Sequence, residues 1–276
     1  MSGLIREGNA VRGVEGVLEG RPVLRRGRLV IGADGRGSAV ARRMGSVRFD
    51  RSLDKIALVG YLSGVERADA VGEVFLGKRR YAILNPIAPG ETNLGVVIDR
   101  RDWKGAPTPQ DLIEEALAAN GALRERLSRA RVLAPPRALG PLAHRASRFA
   151  VPGAVLVGDA AGFLDPFTGE GIFAALRSAQ LASEAASRAL ESAGDEAPNL
   201  SGYAAAWEKE LKRKWRLSRL IQEAVKRPWL AEWLAGRLAT RPRLMSRLMA
   251  AFGDLKMGGS SPTELDIDSL RPVSEV

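Results

Sequence analysis

Residues 155–178 read VLVGDAAGFLDPFTGEGIFAALRS, a strand, a loop and a helix in that order. Residues 154–158 (AVLVG) are an uninterrupted apolar run of the kind that is buried on both faces of a sheet. Asp159 stands just past the carboxyl end of that run, where open α/β sheets bind their ligands. Its carboxylate suits the hydroxyls of a sugar-like chain. Ala160, Ala161 and Gly162 are small enough to let a ligand approach the backbone, and Pro166 stiffens the loop over residues 159–168. A helix is expected from about residue 169 to residue 190, opening on Gly169-Glu170-Gly171. A helix start offers unpaired amides and the positive end of the dipole. Two glycines there leave room for a planar ring. Further along, Ala174, Ala175, Ser178, Ala179 and Ala182 form a small-residue face suited to close packing on a sheet. A lone Gly158-Asp159 pair would mark no more than an ordinary crossover. The density of signals around it points to a binding site.

Upstream, residues 28–34 (RLVIGAD) form a second expected buried strand through Leu29, Val30 and Ile31. It ends in the turn Gly35-Arg36-Gly37, followed by a helix over residues 38–44 with Ser38 as its N-cap. Before it, Val11, Val14 and Val17 alternate with Gly13, Gly16 and Gly20, which predicts short antiparallel strands. Between the two motifs the style changes. Residues 55–63, 72–76, 81–84 and 93–98 read as strands of a mostly antiparallel sheet. A helix is expected from residue 108 or 109 to residue 127, with Leu112, Ile113, Ala116 and Leu117 at helical spacing. Pro135, Pro136 and Pro141 mark the return to the first style. Residues 194–200 form a turn, the chain to about residue 252 is helical and basic, and residues 258–276 form a polar tail. No internal repeat is present.

The segment GDAAGFLDPFTGEGI resembles the GD motif and following helix of the para-hydroxybenzoate-hydroxylase-fold flavoproteins. It is most similar to their geranylgeranyl reductase and FixC-like branch, which carries D-P-x-T-G-E-G-I. Residues 31–42 (IGADGRGSAVAR) resemble the DG motif of the same family, about 120 residues earlier. The resemblance implies an α/β (α+β) architecture. A partial Rossmann-like FAD-binding domain (residues 1–47 and 138–192) would be interleaved with an antiparallel substrate-binding domain (residues 48–137). A helical region (193–257) and a mobile tail (258–276) would follow. It also implies FAD as cofactor, NAD(P)H as electron donor and reduction of double bonds in an isoprenoid or other apolar small molecule. A monooxygenase using NAD(P)H and oxygen is the nearest alternative.

Residue by residue, Gly158 and Asp159 would hold the ribityl chain. The amides of Gly169, Gly171 and Ile172 would face the flavin pyrimidine, and Pro166 would lie beside the isoalloxazine. Asp34 and Gly35 would support the pyrophosphate, and Arg42 would lie near the cofactor. No side chain is identified as a catalytic acid or base. The family layout begins with a G-x-G-x-x-G unit that binds the ADP half of FAD, and residues 8–20 do not supply it. The layout therefore implies a fragment. A truncated gene, a misplaced start or a partner chain that supplies the unit would each account for it, and the alternative of a different class is a non-catalytic remnant or partner subunit that does not bind FAD alone. The W-x-W-x-I-P motif of halogenase relatives is not found.

Composition narrows the alternatives. The 276 residues include no cysteine and one histidine, which excludes disulfides, thiolate chemistry and a multi-histidine metal site. A cysteine-free chain suits a reducing cytoplasm. The net charge of +10 favours anionic partners in general, but no nucleic-acid recognition motif accompanies it. No signal peptide and no membrane-spanning run is visible. His144 is expected to pack rather than to titrate in a reaction, and Tyr81 and Lys78 are pocket candidates. Trp207, Leu211, Trp215 and Ser218 share one helical stripe flanked by Lys209, Lys212, Arg213, Lys214 and Arg216, with Trp229 and Trp233 beyond. A packed helix with a solvated basic face is the favoured reading of this region, and peripheral contact with an anionic membrane is the alternative.

Overall fold

The computed structural model describes residues 1–68, 71–103, 105 and 107–243. Strands β1 (Gly3–Glu7), β2 (Ala10–Leu18) and β3 (Arg21–Arg26) form an antiparallel sheet in that order, as the valine and glycine pattern predicts. Gly8 and Gly20 take φ of +60° and +78° in its turns, a region that glycine enters without steric cost.

Strand β4 (Val30–Gly32) follows, then helix α1 (Ala39–Arg43), where the Ser38 hydroxyl accepts from the Ala41 N–H at 2.8 Å as the expected N-cap. The expectation that Leu29, Val30 and Ile31 are all buried is corrected. Side chains alternate across a strand, and Ile31 points away from the core and is 53% exposed. Gly32 faces inward, so tightly that a Cβ there would lie 2.7 Å from Leu156.

After β5 (Val47–Phe49) come the long strands β6 (Lys55–Ser63), β7 (Glu73–Gly77), β8 (Arg80–Ala88) and β9 (Glu91–Asp99). They pair antiparallel in the order β6-β9-β8-β7. One face of this sheet buries Ile56, Leu58, Leu62, Leu84, Leu94, Val96 and Ile98 against α2 (Pro109–Ala119) and α3 (Leu123–Arg126). Each fully buried Leu or Ile contributes roughly 1.5–3 kcal/mol. The single helix expected to reach residue 127 is broken. Asn120 is extended (φ −156°), and its side chain accepts from the Ala122 N–H at 3.0 Å. A local side-chain bond of this kind competes with helix continuation.

Strands β10 (Arg131–Val132) and β11 (Arg137–Leu139) then pair with β6. β12 (His144–Ala146) joins β5, and β13 (Ala150–Val151) turns into β14 (Ala154–Leu156), all three of whose residues are buried. β14 runs parallel to β4, and the sheet order is β13-β14-β4. β15 (Gly162–Phe163) pairs with β12.

Three helices complete the described chain: α4 (Gly171–Ser192), α5 (Ser201–Val225) and α6 (Pro228–Ala239). α4 and α5 enclose β14 in a core that includes Leu156, Leu181, Ala182, Tyr203, Trp207 and Leu211. The Tyr203 hydroxyl donates to the Leu156 carbonyl at 2.6 Å, and Trp207 stacks on Phe149 at 4.0 Å. The buried stripe of α4 runs through Ser178, Leu181, Ala182, Ala185, Ala186 and Ala189. Ala179 falls one position off that stripe and is exposed, a correction to the expected small-residue face. On α5, Trp207, Leu211 and Ser218 are buried, as a packed helix requires. The fold is mixed α/β, with antiparallel sheets and C-terminal helices. The helix expected to reach residue 252 and the tail over residues 258–276 lie, beyond residue 243, outside the described residues.

Candidate functional site

The two sequence motifs meet at one end of the parallel pair β4–β14. The Val157 N–H donates to the Gly32 carbonyl at 3.0 Å, so Asp34-Gly35 and Gly158-Asp159 leave the sheet side by side. Asp34 turns its carboxylate onto the start of α1, accepting from the Ala39 and Val40 amides at 2.6 and 3.2 Å. Burial pushes this carboxyl up, but the bonds from Ser38, Val40 and Ala39 outweigh burial and hold it below the usual carboxylate range. Gly35 has φ +73° with open space where a Cβ would stand. Arg42 braces the same turn, donating to the Gly37 carbonyl at 2.5 Å, while Arg36 donates to the Pro141 carbonyl at 2.6 Å.

Gly158 has φ +57°, and its N–H donates to the Ser178 hydroxyl at 2.8 Å. The Asp159 carbonyl lies 2.8 Å from His144 Nε2, and His144 Nδ1 lies 3.2 Å from the Leu142 carbonyl. His144 is buried and anchors the loop backbone, in line with a packing role. Burial pushes the Asp159 carboxyl up, with His144 and Arg36 acting in the opposite sense. Asp159 lines a cavity of about 50 Å³ together with Glu170, Gly171, Lys214 and Trp215. Gly162, three residues on, lines the same cavity. Ala160 and Ala161 are buried, and a Cβ on Gly162 would lie 2.6 Å from the Trp215 ring.

The loop then makes a single turn over Pro166–Thr168, with Pro166 at its head. The buried Asp165 side chain accepts from the Phe167 N–H at 3.0 Å, from Lys55 Nζ at 3.3 Å and from the Tyr81 hydroxyl. Lys55 also donates to Gln222 Oε1 at 2.5 Å. Burial and the Asp165 carboxylate push the Tyr81 phenol well above its ordinary range, so it stays protonated and donates. One buried network thus ties β6, β8, the loop and α5 together. Of its members, sequence reasoning singles out Tyr81 alone. Gln222 on the buried stripe of α5, four residues after Ser218, was the one available sign. Lys78 is exposed in the turn between β7 and β8 and does not join the network.

The start of α4 is open. Gly169 has φ +68° and, like Gly171, leaves space where a side chain would stand. Ile172 is 77% exposed. The first bond of the helix runs from the Ala174 N–H to the Glu170 carbonyl at 2.9 Å, so the amides of Gly171, Ile172 and Phe173 precede the intrahelical ladder. Glu170 does not cap them. Its carboxylate turns to α5, accepting from the Ser218 hydroxyl at 2.8 Å with Lys214 Nζ 3.9 Å away. The Gly171 and Ile172 amides, two glycines with room for a side chain and the half-buried Asp159 fit the flavin end of a dinucleotide, whereas the Gly169 N–H, expected to face the ring, instead donates to the Pro166 carbonyl at 3.1 Å.

No protein-family profile matches the chain. It is 30% identical to digeranylgeranylglycerophospholipid reductase 2 of Methanothermobacter thermautotrophicus over 66% of this chain and 46% of that protein. It is also 30% identical to digeranylgeranylglycerophospholipid reductase of Methanosarcina acetivorans, over 69% and 47% respectively. The chain thus spans about half the length of the curated relatives it matches. Among solved structures, the flavin-dependent brominase Bmp2 aligns with TM-score 0.78 at 21% identity, over 91% of this chain and 63% of that one. A geranylgeranyl bacteriochlorophyll reductase-like protein from Thermoplasma acidophilum aligns with TM-score 0.65 at 22% identity, over 82% and 57%. The chain is therefore a homologue of the digeranylgeranylglycerophospholipid reductases, built on the fold that flavin-dependent reductases and halogenases share.

Proposed function

We propose that the chain forms the flavin-facing half of an FAD-dependent reductase that acts on double bonds of an isoprenoid-like apolar substrate, with NAD(P)H as electron donor. The observation that carries this reading is the uncapped start of α4 beside Asp159. FAD, when bound, supplies the hydride chemistry, and the protein supplies position and electrostatics. Asp159 accepts hydrogen bonds from ribityl hydroxyls, on a backbone that His144 holds in place. The amides of Gly171 and Ile172 stabilise negative charge on the pyrimidine side of the ring. Pro166 keeps the loop rigid beside the ring. Gly35, in the turn braced by Arg42, leaves space for the pyrophosphate, and Asp34 fixes that turn through α1. The partly buried Val59 and Ile83 of the long sheet, near Phe163 and Phe167, give the substrate side an apolar wall. The relatives' printed substrate, a digeranylgeranyl phospholipid, has the apolar chains that such a wall suits.

A partner polypeptide completes the site in this reading. β4 is the end strand of its sheet, and a free strand edge accepts a further strand. The added segment would carry the adenosine half.

The decisive measurement is FAD titration of the purified chain, followed by flavin emission. Saturable uptake that weakens at least tenfold in Asp159→Ala (about 1.4 kcal/mol) is expected. Equal uptake by both proteins would sink the site assignment. No uptake by the unmodified chain would favour a subunit or remnant that does not bind FAD alone. The brominase likeness keeps a monooxygenase-type reaction as the second reading. Substrate-coupled NAD(P)H oxidation that needs oxygen would favour it, and anaerobic turnover of an isoprenoid alkene would favour the reductase.

A further inference from the structure

Helix α6 carries a face that the packed core does not use. Trp229 and Trp233, one turn apart, are 68% and 55% exposed, and Leu234 beside them is 37% exposed. Arg237 lies over the Trp233 ring at 5.2 Å. Leu220, near the end of α5, is 67% exposed. The sequence through these helices is basic. Between Lys212 and Arg243 the sequence holds ten Lys or Arg and two Asp or Glu, a surplus of eight in a chain whose net charge is +10. Arg216, Arg227, Arg237, Arg241 and Arg243 are exposed, and Arg219, also exposed, pairs with Asp50.

We propose that α6 and the end of α5 dock the protein on an anionic lipid surface, with Trp229, Trp233 and Leu234 entering the headgroup boundary and the surrounding arginines meeting the lipid charge. Indole is an amphipathic ring with an apolar body and one donor, and it settles where hydrocarbon meets water. A basic surface adds attraction that holds within a Debye length of the membrane. Aliphatic Leu220 and Leu234 favour hydrocarbon over nucleic acid, because they have no π-face for a base to stack on. No helix among the described residues is long and apolar enough to cross a membrane, so the contact is interfacial. The inference does not depend on the flavin site.

The test is partition of the full chain onto vesicles of phosphatidylcholine with and without phosphatidylglycerol, read by co-sedimentation and tryptophan emission. Binding at least tenfold stronger to the anionic vesicles, with a blue shift of emission, is expected. Trp229→Ser/Trp233→Ser should lose the blue shift and weaken partition at least tenfold. Both positions are exposed, so far-UV circular dichroism and the thermal midpoint should stay unchanged. Arg237→Glu/Arg241→Glu should weaken binding to anionic vesicles alone. Equal partition of the tryptophan variant overturns the proposal, as does binding without an emission shift that vanishes at moderate salt. So does displacement of the vesicles by a single-stranded oligonucleotide. A concentration-dependent dimer that Trp229→Ser/Trp233→Ser abolishes would assign the face to a second copy of the chain and overturn it too.

Discussion

At the scale of single residues, Asp159 is held in a place that disfavours its charge. Burial raises its carboxyl, with His144 and Arg36 opposing. A carboxyl raised in the folded state favours folding when protonated. That contribution is present below the unfolded value and is lost as pH rises through the folded one. Asp159→Asn should therefore stabilise the chain at neutral pH. The gain should shrink as pH falls through the raised folded value and be gone below the ordinary carboxylate range, measured as the difference in urea midpoint between the two proteins across pH. The same substitution should weaken FAD binding. Tyr81 behaves differently, because its hydroxyl satisfies the buried Asp165. Tyr81→Phe leaves a buried acceptor short of a donor and should cost about 1–3 kcal/mol, read from urea unfolding. An unchanged midpoint would show that the Lys55 and Phe167 donors suffice.

Among secondary-structure elements, what the sequence shows depends on how local the cause is. The N-cap Ser38 and the Thr108–Asp111 capping box involve neighbours a few residues apart, and both are readable in one dimension. Ser38→Ala should cost about 1 kcal/mol, again by denaturant midpoint. The break at Asn120 was missed because apolar periodicity continues through Leu123 while one side-chain bond decides the backbone. The exposure of Ile31 and the inward packing of Ala160, Ala161 and Gly162 depend on which elements lie against them, information that no local pattern carries. The Asp165 network is the extreme case. Lys55 meets Asp165 and Gln222 across 110 and 167 residues of chain. Among the described residues β4 ends its sheet, which predicts concentration-dependent self-association of the chain. Ile31→Lys places a charge on that strand and should reduce it, as followed by light scattering.

For the molecule as a whole, cofactor uptake and stability are linked. FAD at 100 times its Kd should add about 2.7 kcal/mol to unfolding. For a chain of this size that corresponds to roughly 5–10 °C in Tm. Asp159→Ala, binding at least tenfold more weakly, should shift by about half as much or less at the same FAD concentration. A shift in Asp159→Ala equal to that of the unmodified chain would place the bound nucleotide elsewhere.

The close approach of Trp215 to Gly162 also makes the molecule its own optical probe. The indole, carried by α5, shares the wall of the small cavity with Asp159 and Gly171, so it faces the loop that would hold the cofactor. Subtracting the emission of Trp215→Phe from that of the unmodified chain isolates one fluorophore at that wall. Its quenching on titration would time the arrival of the ring system directly, without a turnover assay and before any substrate is known.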